Sequence, residues 1–170
     1  GFDIDEDRVS NLNDGIDSTM EATPDDFLNS HQVSFTSNVA DISDCSIYII
    51  AVPTPIDENK QPDLRALKRS TKTVSKILKN RDIVVYESTV YPGATEEICV
   101  PILEEYSNLV FNQDFYCGYS PERINPGDKI NRLPNIKKIT SGSTPKVANE
   151  IDKLYQEIIT AGTHKAISMK

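Results

Sequence analysis

The residues Ile47-Tyr48-Ile49-Ile50-Ala51-Val52-Pro53-Thr54-Pro55 carry the clearest indication of the fold of this chain. The first six of them form a continuous apolar run, which is typical of a strand buried on both faces of a parallel sheet. The two prolines that follow remove backbone donors and hold the next residues close to one path. The stretch therefore predicts an interior strand that ends in a stiff loop.

Strands and helices alternate on both sides of this stretch. Residues 83–86 form a second apolar run, and the residues between the two runs have one apolar face at helical spacing, with Asp63 as the predicted N-cap. Before the first run we predict a strand end at 2–4, a helix at 6–13 closed by Gly15, a short helix after Pro24 and a strand at 33–36. After the second run we predict a helix containing Glu96 and Glu97 and bent at Pro101, and strands at 115–119 and 138–142. The last predicted elements are a helix from Pro145 capped by Thr144 and a short strand at 165–168. This alternation predicts an α/β fold with a mostly parallel sheet flanked by helices.

Length and charge limit the classes of function. The 170 residues fit one domain with a buried core, and no internal repeat or domain linker is evident. A net charge of −8 argues against non-specific binding to nucleic acid, which depends on clustered Lys and Arg. No apolar run approaches the ~20 residues of a membrane-spanning helix, so we expect no membrane partner. An anionic small ligand is compatible with this charge, because helix N-termini and a few Arg side chains bind phosphates.

Cysteine and histidine usage gives no sign of a metal site. Cys45, Cys99 and Cys117 are odd in number and widely spaced, and His31 and His164 are the only histidines. No pair has the spacing of a zinc site. The sequence therefore predicts no metal and a reducing, cytoplasmic location.

Polar residues stand at four predicted strand ends: Asp3, 52–55, 87–90 and 120–123. Ligands of open α/β sheets bind at the carboxyl ends of the strands, so these junctions are the candidate site. By spacing alone they indicate a ligand-binding α/β domain and nothing narrower.

Asp3 has two interpretations. An acid at the end of such a strand can bind the adenosine ribose hydroxyls and repel a 2′-phosphate, or it can be a helix N-cap or a solvated carboxylate. The GxGxxG fingerprint that would support the first is absent, because the seven glycines (1, 15, 93, 118, 127, 142 and 162) never approach that spacing.

The other three junctions are equally open. Residues 52–55 can form one wall of a nicotinamide-ribose pocket or simply end a strand. Ser88-Thr89 can hold a water or a phosphate, or cap a turn. Glu122 can be a general base or a water-orienting carboxylate, or an ion-pair partner of Arg123 or Arg132.

Five motifs in chain order resemble one protein family. They are Gly-Phe-Asp-Ile-Asp-Glu-Asp-Arg (1–8), Ala-Val-Pro-Thr-Pro (51–55), Glu-Ser-Thr-Val-Tyr-Pro-Gly (87–93), Gly-Tyr-Ser-Pro-Glu-Arg-Ile-Asn-Pro-Gly-Asp (118–128) and Lys-Lys-Ile-Thr-Ser-Gly (137–142). Together they resemble the UDP-glucose/GDP-mannose dehydrogenase family over essentially all 170 residues. Within it the chain looks most like the branch that oxidises UDP-N-acetylhexosamines for bacterial surface polysaccharides, as in Vi-antigen and O-antigen synthesis.

The resemblance implies a Rossmann-like domain that binds NAD. Such enzymes oxidise the C6 alcohol of a UDP-sugar to a carboxylate, with two NAD⁺ in succession and a cysteine thiohemiacetal and thioester on the way. It implies that Asp3 binds the adenosine ribose, with Arg8 as the nearby basic residue. It also implies that Val52, Pro53 and Thr54 line the cofactor.

Three further residues take roles from the resemblance. Thr89 matches a threonine beside the cofactor that holds a water near the reacting carbon. Glu122 matches the glutamate that works with that water as a base and lies at the substrate. Arg123 replaces the hydrophobic residue of UDP-glucose enzymes and is expected to help choose the sugar.

Other parts of the family pattern are missing from residues 1–170. The first strand and the glycine loop would precede Gly1, while the lysine, asparagine and nucleophilic cysteine, the central helix and the UDP-binding domain would follow Lys170. We therefore expect a partial NAD-binding domain that lacks the first βα unit, binds NAD weakly and turns over nothing alone, from a longer homo-oligomeric enzyme. None of the three cysteines matches the nucleophile; Cys45 and Cys99 are expected to be buried, and Cys117 to be structural.

Two questions stay open at this stage. In a 3-2-1-4-5-6 sheet the missing first strand is central, so the sheet would re-pair, be filled by another chain, or loosen, unless the full-length protein supplies the strand. The function has alternatives too: oxidation of UDP-glucose or GDP-mannose, or a non-catalytic nucleotide-binding or assembly module.

Overall fold

The computed structural model describes residues 1–30, 32–56, 58, 60–124 and 133–170. These residues form two compact units, Gly1–Asp44 and Cys45–Lys170. Residues 125–128 of the fourth motif, together with Arg132 and His31, lie outside the described residues. None of the described helices, of which the longest has 12 residues, is long and apolar enough to cross a membrane.

The first unit contains two helices whose ends follow the predicted signals. Helix α1 (Glu6–Asn13) begins after Asp5, whose carboxylate accepts the Arg8 N–H at 3.0 Å. It ends before Gly15, which has a φ of +76° and occupies the left-handed position predicted for it. Helix α2 (Pro24–Asn29) begins with a reciprocal capping box between Thr23 and Asp26. Both helices confirm the sequence predictions.

The strands predicted at 2–4 and 33–36 are reduced to one isolated bridge. Phe2 pairs with Thr36, and no longer ladder forms among the described residues of this unit. The pairing consists of three bonds, in which the Gly1 ammonium donates to the Ser34 carbonyl, the Thr36 N–H to the Gly1 carbonyl and the Asp3 N–H to the Thr36 carbonyl, at 2.6, 2.9 and 3.2 Å. It ends there because the chain turns into α1 at Asp5. The opposite edge of residues 33–36 is occupied by the Asn13 side chain, which accepts the Phe35 N–H at 3.2 Å and donates to the Phe35 carbonyl at 3.0 Å. A 3₁₀ turn, Val39–Ile42, follows the bridge.

One carboxylate organises the loop between α1 and α2. Asp17 accepts bonds from the N–H and hydroxyl of Thr19 at 3.0 and 2.7 Å, and from the N–H groups of Glu21 and Ala22, each at 3.0 Å. Burial opposes its ionisation, but the bond from Ala22 and the others outweigh burial and lower the pKa of Asp17 to about 2. The loop therefore depends on the charged form of Asp17.

The second unit is built on one five-stranded sheet. Its strands are β1 (Ile47–Ile50), β2 (Ile83–Tyr86), β3 (Tyr116–Tyr119), β4 (Lys138–Gly142) and β5 (Thr163–Lys165), and they neighbour one another in chain order. Every neighbouring pair is parallel except β3 and β4, which are antiparallel. The prediction of an α/β fold with a mostly parallel sheet is confirmed. Among the described strands β1 pairs with β2 alone, so the described part of the sheet does not re-pair in a new order.

Helices cover both faces of this sheet. They are α3 (Arg65–Ser75), a π-helical turn (Thr95–Cys99) that continues into α4 (Val100–Ser107), and α5 (Pro145–Gln156); a 3₁₀ turn spans Leu133–Asn135. Strand β2 lies between the layers and is fully buried. Its Ile83 and Val85 pack against α5, whereas the hydroxyl of Tyr86, on the other face, lies 3.2 Å from that of Thr71 in α3.

Strand β1 differs from the prediction in length and burial. It ends at Ile50 instead of Val52, and only Tyr48 and Ile50 are buried. Ile47 and Ile49 are 37% and 47% exposed, which contradicts burial on both faces. They face the same side as Ile83 and Val85, and on that side α5 packs mainly over β3 and β4.

Three smaller corrections concern element ends and one cysteine. The N-cap position of α3 is occupied by Leu64, which makes no side-chain capping bond, since Asp63 lies one residue earlier and bonds both the N–H and the guanidinium of Arg65. The final strand, β5, lies at Thr163–Lys165 rather than at 165–168, because this stretch pairs with β4. Cys45 is exposed instead of buried, because it lies in the turn before β1, where its carbonyl accepts a bond from Lys79.

Replacing Gly142 with Ala should destabilise the second unit. A Cβ there would lie 2.4 Å from the backbone nitrogen of Ala148 and 2.9 Å from the carbonyl carbon of Val147, both in α5. Because these are backbone atoms, the helix itself would have to move, and we expect a loss of about 1–3 kcal/mol in unfolding free energy. Urea denaturation measures this loss. The exposed substitution Lys146→Ala on the same helix is the control, and equal stability of the two variants would contradict the prediction.

Replacing Asp17 with Asn should destabilise the first unit in a pH-dependent way. The folded pKa is lowered, so the contribution of Asp17 is complete above its ordinary pKa of 3.8 and is lost as the pH falls through about 2. We expect Asp17→Asn to cost about 1–2 kcal/mol at pH 7 and about half as much at pH 3. Denaturation at both pH values measures the difference, with the exposed Asp44→Asn as control. A cost independent of pH would show that the charge of Asp17 is not responsible.

Candidate functional site

The loops that follow β1 and β2 are bonded to each other. The Ser88 hydroxyl donates to the Val52 carbonyl at 2.6 Å, and the Thr54 hydroxyl donates to the Thr89 carbonyl at 2.7 Å. The stiff segment 52–55 is thereby fixed at two points, between which Pro53 has no donor of its own. The structure thus brings together two of the predicted strand-end junctions.

Thr89 contributes its backbone, not its hydroxyl, to this contact. Among the described residues nothing bonds to the Thr89 hydroxyl, and the residue is exposed. An exposed hydroxyl beside a rigid loop is chemically suited to hold a water or a polar ligand atom.

A buried lysine lies at the centre of the next part of the site. The Nζ atom of Lys138 is 3.1 Å from Glu87 Oε1 and 3.1 Å from Glu122 Oε2, and the Lys138 side chain is only 4% exposed. The hydroxyl of Tyr155 donates to the same Glu87 oxygen at 2.6 Å. We call these four residues, Glu87, Glu122, Lys138 and Tyr155, the Lys138 cluster.

The sheet topology explains why these residues meet. Glu87 follows β2 and Glu122 follows β3, and the carboxyl ends of two parallel strands lie at the same edge. Strand β4 runs antiparallel to β3, so its first residue, Lys138, lies at that edge too. The Glu122 N–H donates to the Glu87 carbonyl at 3.2 Å, which fixes the two loops relative to each other. Tyr155 reaches the cluster from α5.

Both oxygens of Glu122 are engaged. Oε1 accepts the N–H groups of Arg123 and Ile124 at 2.6 and 2.8 Å, and Oε2 accepts a bond from Lys138. Burial tends to raise the pKa of Glu122, but the Lys138 ammonium and the backbone donors outweigh it and hold that pKa below its ordinary value. Glu122 is therefore an ionised carboxylate of fixed orientation at neutral pH.

Tyr155 acts as a hydrogen-bond donor in this arrangement. Burial, together with its bond to the Glu87 carboxylate, raises the pKa of Tyr155 well above its ordinary value. Its hydroxyl therefore stays protonated at any physiological pH and keeps Glu87 in place.

Arg123, the predicted sugar-selecting residue, is exposed at the same edge. Its guanidinium donates to the Lys137 carbonyl, and its own N–H is one of the donors to Glu122. Among the described residues the ion-pair partner of Glu122 is Lys138, whereas Arg123, one of the two arginines considered as a partner, makes a backbone contact; the other, Arg132, lies outside the described residues.

Asp3 and Arg8 lie together in the first unit. Arg8 Nε is 3.6 Å from Asp3 Oδ2, and Arg8 Nη2 is 3.9 Å from Asp17 Oδ1. Asp3 Oδ1 accepts the Asp5 N–H at 3.0 Å, and both side chains of the Asp3–Arg8 pair are partly exposed. An accessible carboxylate with unused lone pairs fits the two donor hydroxyls of an adenosine ribose, so the residues present fit the adenosine side of NAD.

Sequence reasoning assigned no role to three members of the Lys138 cluster: Glu87, Lys138 and Tyr155. Glu87 lies in one of the strand-end junctions, 87–90, and Tyr155 lies on the buried side of α5. Lys138 carried a usable signal, because alternation along β4 puts it on the same face as Thr140, which is fully buried. A lysine on the inward face of a strand requires an anionic partner.

The buried cysteines are not reactive thiolates. Burial raises the pKa of Cys99 to about 11 and that of Cys117 well above its ordinary value. Both are thiols with the character of small apolar side chains, as predicted for Cys99. In the described ranges no three His, Cys, Asp or Glu residues are grouped so that they could hold a metal ion.

Comparisons with known proteins agree on one family. Residues 1–159 match the model of the UDP-glucose/GDP-mannose dehydrogenase family, NAD binding domain. The whole chain is 58% identical to a UDP-N-acetyl-D-glucosamine 6-dehydrogenase of Pseudomonas aeruginosa and 56% identical to one of Salmonella typhi, and it covers 40% of each of those proteins.

Solved structures give the same fold. A UDP-D-ManNAc dehydrogenase from Pyrococcus horikoshii matches with a TM-score of 0.86 and 29% identity over 99% of this chain and 41% of its own. A GDP-mannose dehydrogenase from Pseudomonas aeruginosa matches with a TM-score of 0.89 at 20% identity, over 99% of this chain and 40% of its own, and shows the fold alone.

The chain thus spans about two fifths of the length of the relatives it matches. The family model, the chain-wide identity and the fold agree on the same part of those proteins. The chain belongs to the UDP-glucose/GDP-mannose dehydrogenase family, as its NAD-binding domain.

Proposed function

We propose that the protein carrying this chain is an NAD-dependent 6-dehydrogenase that oxidises a UDP-N-acetylhexosamine to its uronic acid in the synthesis of a surface polysaccharide. The observation that carries this proposal is the 58% identity, over all 170 residues, to a protein named UDP-N-acetyl-D-glucosamine 6-dehydrogenase. Relatives at 28–31% identity are named UDP-N-acetyl-D-mannosamine dehydrogenases, so N-acetylated sugars recur among the names.

In the first unit we propose that Asp3 and Arg8 serve the adenosine ribose of NAD. Asp3 accepts bonds from the ribose hydroxyls, and its negative charge disfavours a 2′-phosphate. Arg8 holds the Asp3 carboxylate from one side, and Asp17 in turn lies beside Arg8. NAD⁺, when bound, supplies the hydride acceptor for oxidation of the sugar.

The second unit supplies the residues nearest the proposed chemistry. Val52, Pro53 and Thr54 form a rigid wall for the cofactor, since Ser88 fixes its start. The exposed Thr89 hydroxyl and the ionised Glu122 carboxylate hold a water for the hydrolytic step, in which the cysteine thioester is hydrolysed to the carboxylate. Arg123 lies next to Glu122 in sequence and takes part in the choice of sugar.

The proposal also concerns the whole protein and its surroundings. We infer a cytoplasmic homo-oligomer with a UDP-sugar as its substrate; the three cysteines are free, which agrees with a reducing compartment. Residues 1–170 alone have no GxGxxG loop to bind the pyrophosphate. Losing two or three charge-assisted bonds of roughly 1.5–3 kcal/mol each weakens NAD binding by several orders of magnitude. The isolated chain is therefore expected to be inactive.

The reaction is tested with the full-length protein and NAD⁺. We expect NADH formation with UDP-GlcNAc or UDP-GalNAc at a stoichiometry of two NADH per sugar, because oxidation of an alcohol to a carboxylate removes four electrons. UDP-glucose and GDP-mannose serve as competing substrates, and absorbance at the NADH band gives the rates. Folded protein that binds NAD⁺ but oxidises none of the four sugars would overturn the proposed reaction.

The cofactor role of Asp3 is tested by Asp3→Asn in the full-length protein. We expect NAD⁺ binding to weaken about 10- to 100-fold, since a charge-assisted bond to the ribose contributes roughly 1.5–3 kcal/mol. Calorimetric titration with NAD⁺ measures the affinity. Asp44→Asn, an exposed acid in the same unit, should bind like the unmodified protein, and equal affinity of both variants would remove Asp3 from the cofactor site.

A further inference from the structure

Lys138 is a buried charge that the proposed reaction does not use. Its side chain is only 4% exposed, while its ammonium lies 3.1 Å from each of two carboxylates. Moving an ammonium out of water costs several kcal/mol, and partners of opposite charge must offset that cost. A group held in this way is fixed by the fold, and its exposure leaves no room for direct contact with a substrate.

The contacts of the Lys138 cluster form a chain. Tyr155 donates to Glu87, Glu87 binds Lys138, and Lys138 binds Glu122. Tyr155 and Lys138 are buried and the Glu87 side chain is 16% exposed, whereas the Glu122 side chain is 37% exposed. Glu122 is therefore the member of the cluster that meets solvent or a ligand.

The cluster also fixes the Glu122 carboxylate geometrically. Two backbone N–H groups bind Oε1, and the Lys138 ammonium binds Oε2. With each oxygen engaged by a different element, the carboxylate can neither rotate nor exchange its oxygens without breaking a charge-assisted bond. Such orientation before ligand binding is what an electrostatic group in an active site requires.

We propose that Lys138 is a positioning residue, which fixes the orientation and charge of the Glu122 carboxylate while Glu87 and Tyr155 hold Lys138 in place. The inference rests on the proposed function, in which Glu122 works with the water of the hydrolytic step. Three residues behind Glu122 would then support that step: Glu87 after β2, Lys138 in β4 and Tyr155 in α5.

The charged neighbours of Glu122 have opposite effects on its ionisation. Among the described residues the charged groups beside it are the Lys138 ammonium, with the Glu87 carboxylate behind it, and the exposed Arg123, whose guanidinium is bonded to the Lys137 carbonyl; α5 contributes the neutral Tyr155 hydroxyl. Asp152 of α5 bonds Thr140 instead. Removing the lysine charge should therefore favour protonation of Glu122, whereas removing the Glu87 charge should disfavour it.

The test compares pH profiles of kcat for full-length Lys138→Met, Glu87→Gln and Lys138→Arg. Activity requires ionised Glu122 and is lost as the pH falls through its pKa. We expect Lys138→Met to move this acid limb to higher pH by about 1–3 units and Glu87→Gln to move it to lower pH. Lys138→Arg retains the charge and should restore most of the original profile. Lys146→Met, a lysine on the surface of α5, should leave the profile unchanged.

A merely structural role would give a different pattern. It would lower kcat and the melting temperature of Lys138→Met and Glu87→Gln alike, without moving their acid limbs in opposite directions. The proposal is overturned if the acid limb of folded Lys138→Met coincides with that of the unmodified protein, or if both variants shift the same way.

Glu122→Gln and a direct titration separate this inference from the proposed function. If Glu122→Gln retains the full kcat, the proposed role of Glu122 is wrong. ¹³C NMR of the labelled Glu122 carboxyl still reports, in active and inactive variants alike, whether loss of the Lys138 charge raises its titration midpoint. An unchanged midpoint in Lys138→Met would reject Lys138 as the positioning residue whatever the kinetics show.

Discussion

The burial of one ammonium group between two carboxylates ties the ends of three strands of the second unit to one point. Lys138 keeps its charge away from water only if β2, β3 and β4 all bring their ends to one point, because Glu87, Glu122 and Lys138 come from three different strands or the loops after them. Loss of one partner of such a buried pair typically costs about 3–5 kcal/mol. A slip of one residue between β3 and β4 would turn Lys138 to the opposite face of the sheet. The cluster therefore favours one register of the β3–β4 pair, and it also orders the site.

Close packing of α5 is what allows this cluster to close. A Cβ on Gly118 would lie 2.2 Å from the Ile151 side chain, and one on Gly142 would meet the α5 backbone. Because both positions lack a side chain, α5 approaches the β3–β4 pair closely enough for the Tyr155 hydroxyl to reach Glu87. The packing of the core and the arrangement of the site therefore depend on the same helix. Ile151 of α5 fills the hydrophobic layer, and Tyr155 of α5 donates the hydrogen bond to Glu87.

Local patterns in the sequence predicted the positions of helices and strands better than they predicted burial or contacts between distant residues. The apolar run at β2, the bounds of α1 with Gly15 after its end and the Thr144 cap of α5 depend on nearby residues, and each lies where it was predicted. The exposure of Ile49 depends on where a distant helix lies, which no local pattern contains. The Lys138 cluster likewise joins residues 87, 122, 138 and 155, and nothing in any single stretch indicates that a lysine and a tyrosine share one glutamate oxygen. The family resemblance supplied Glu122 but not the residues that hold it.

The state of Glu122 also bears on the kind of chemistry it can perform. A general base works best with a pKa near the operating pH, whereas the Lys138 ammonium and two backbone donors hold the pKa of Glu122 below its ordinary value. Such a carboxylate is a weak proton acceptor, but it is fully ionised and has a fixed direction. A water that attacks beside Glu122 develops its positive charge next to this ionised carboxylate, whose direction is fixed by Lys138 and the backbone donors. In the proposed hydrolytic step, orientation and electrostatic stabilisation of the water are thus the larger contribution of this residue, and proton abstraction is the smaller one.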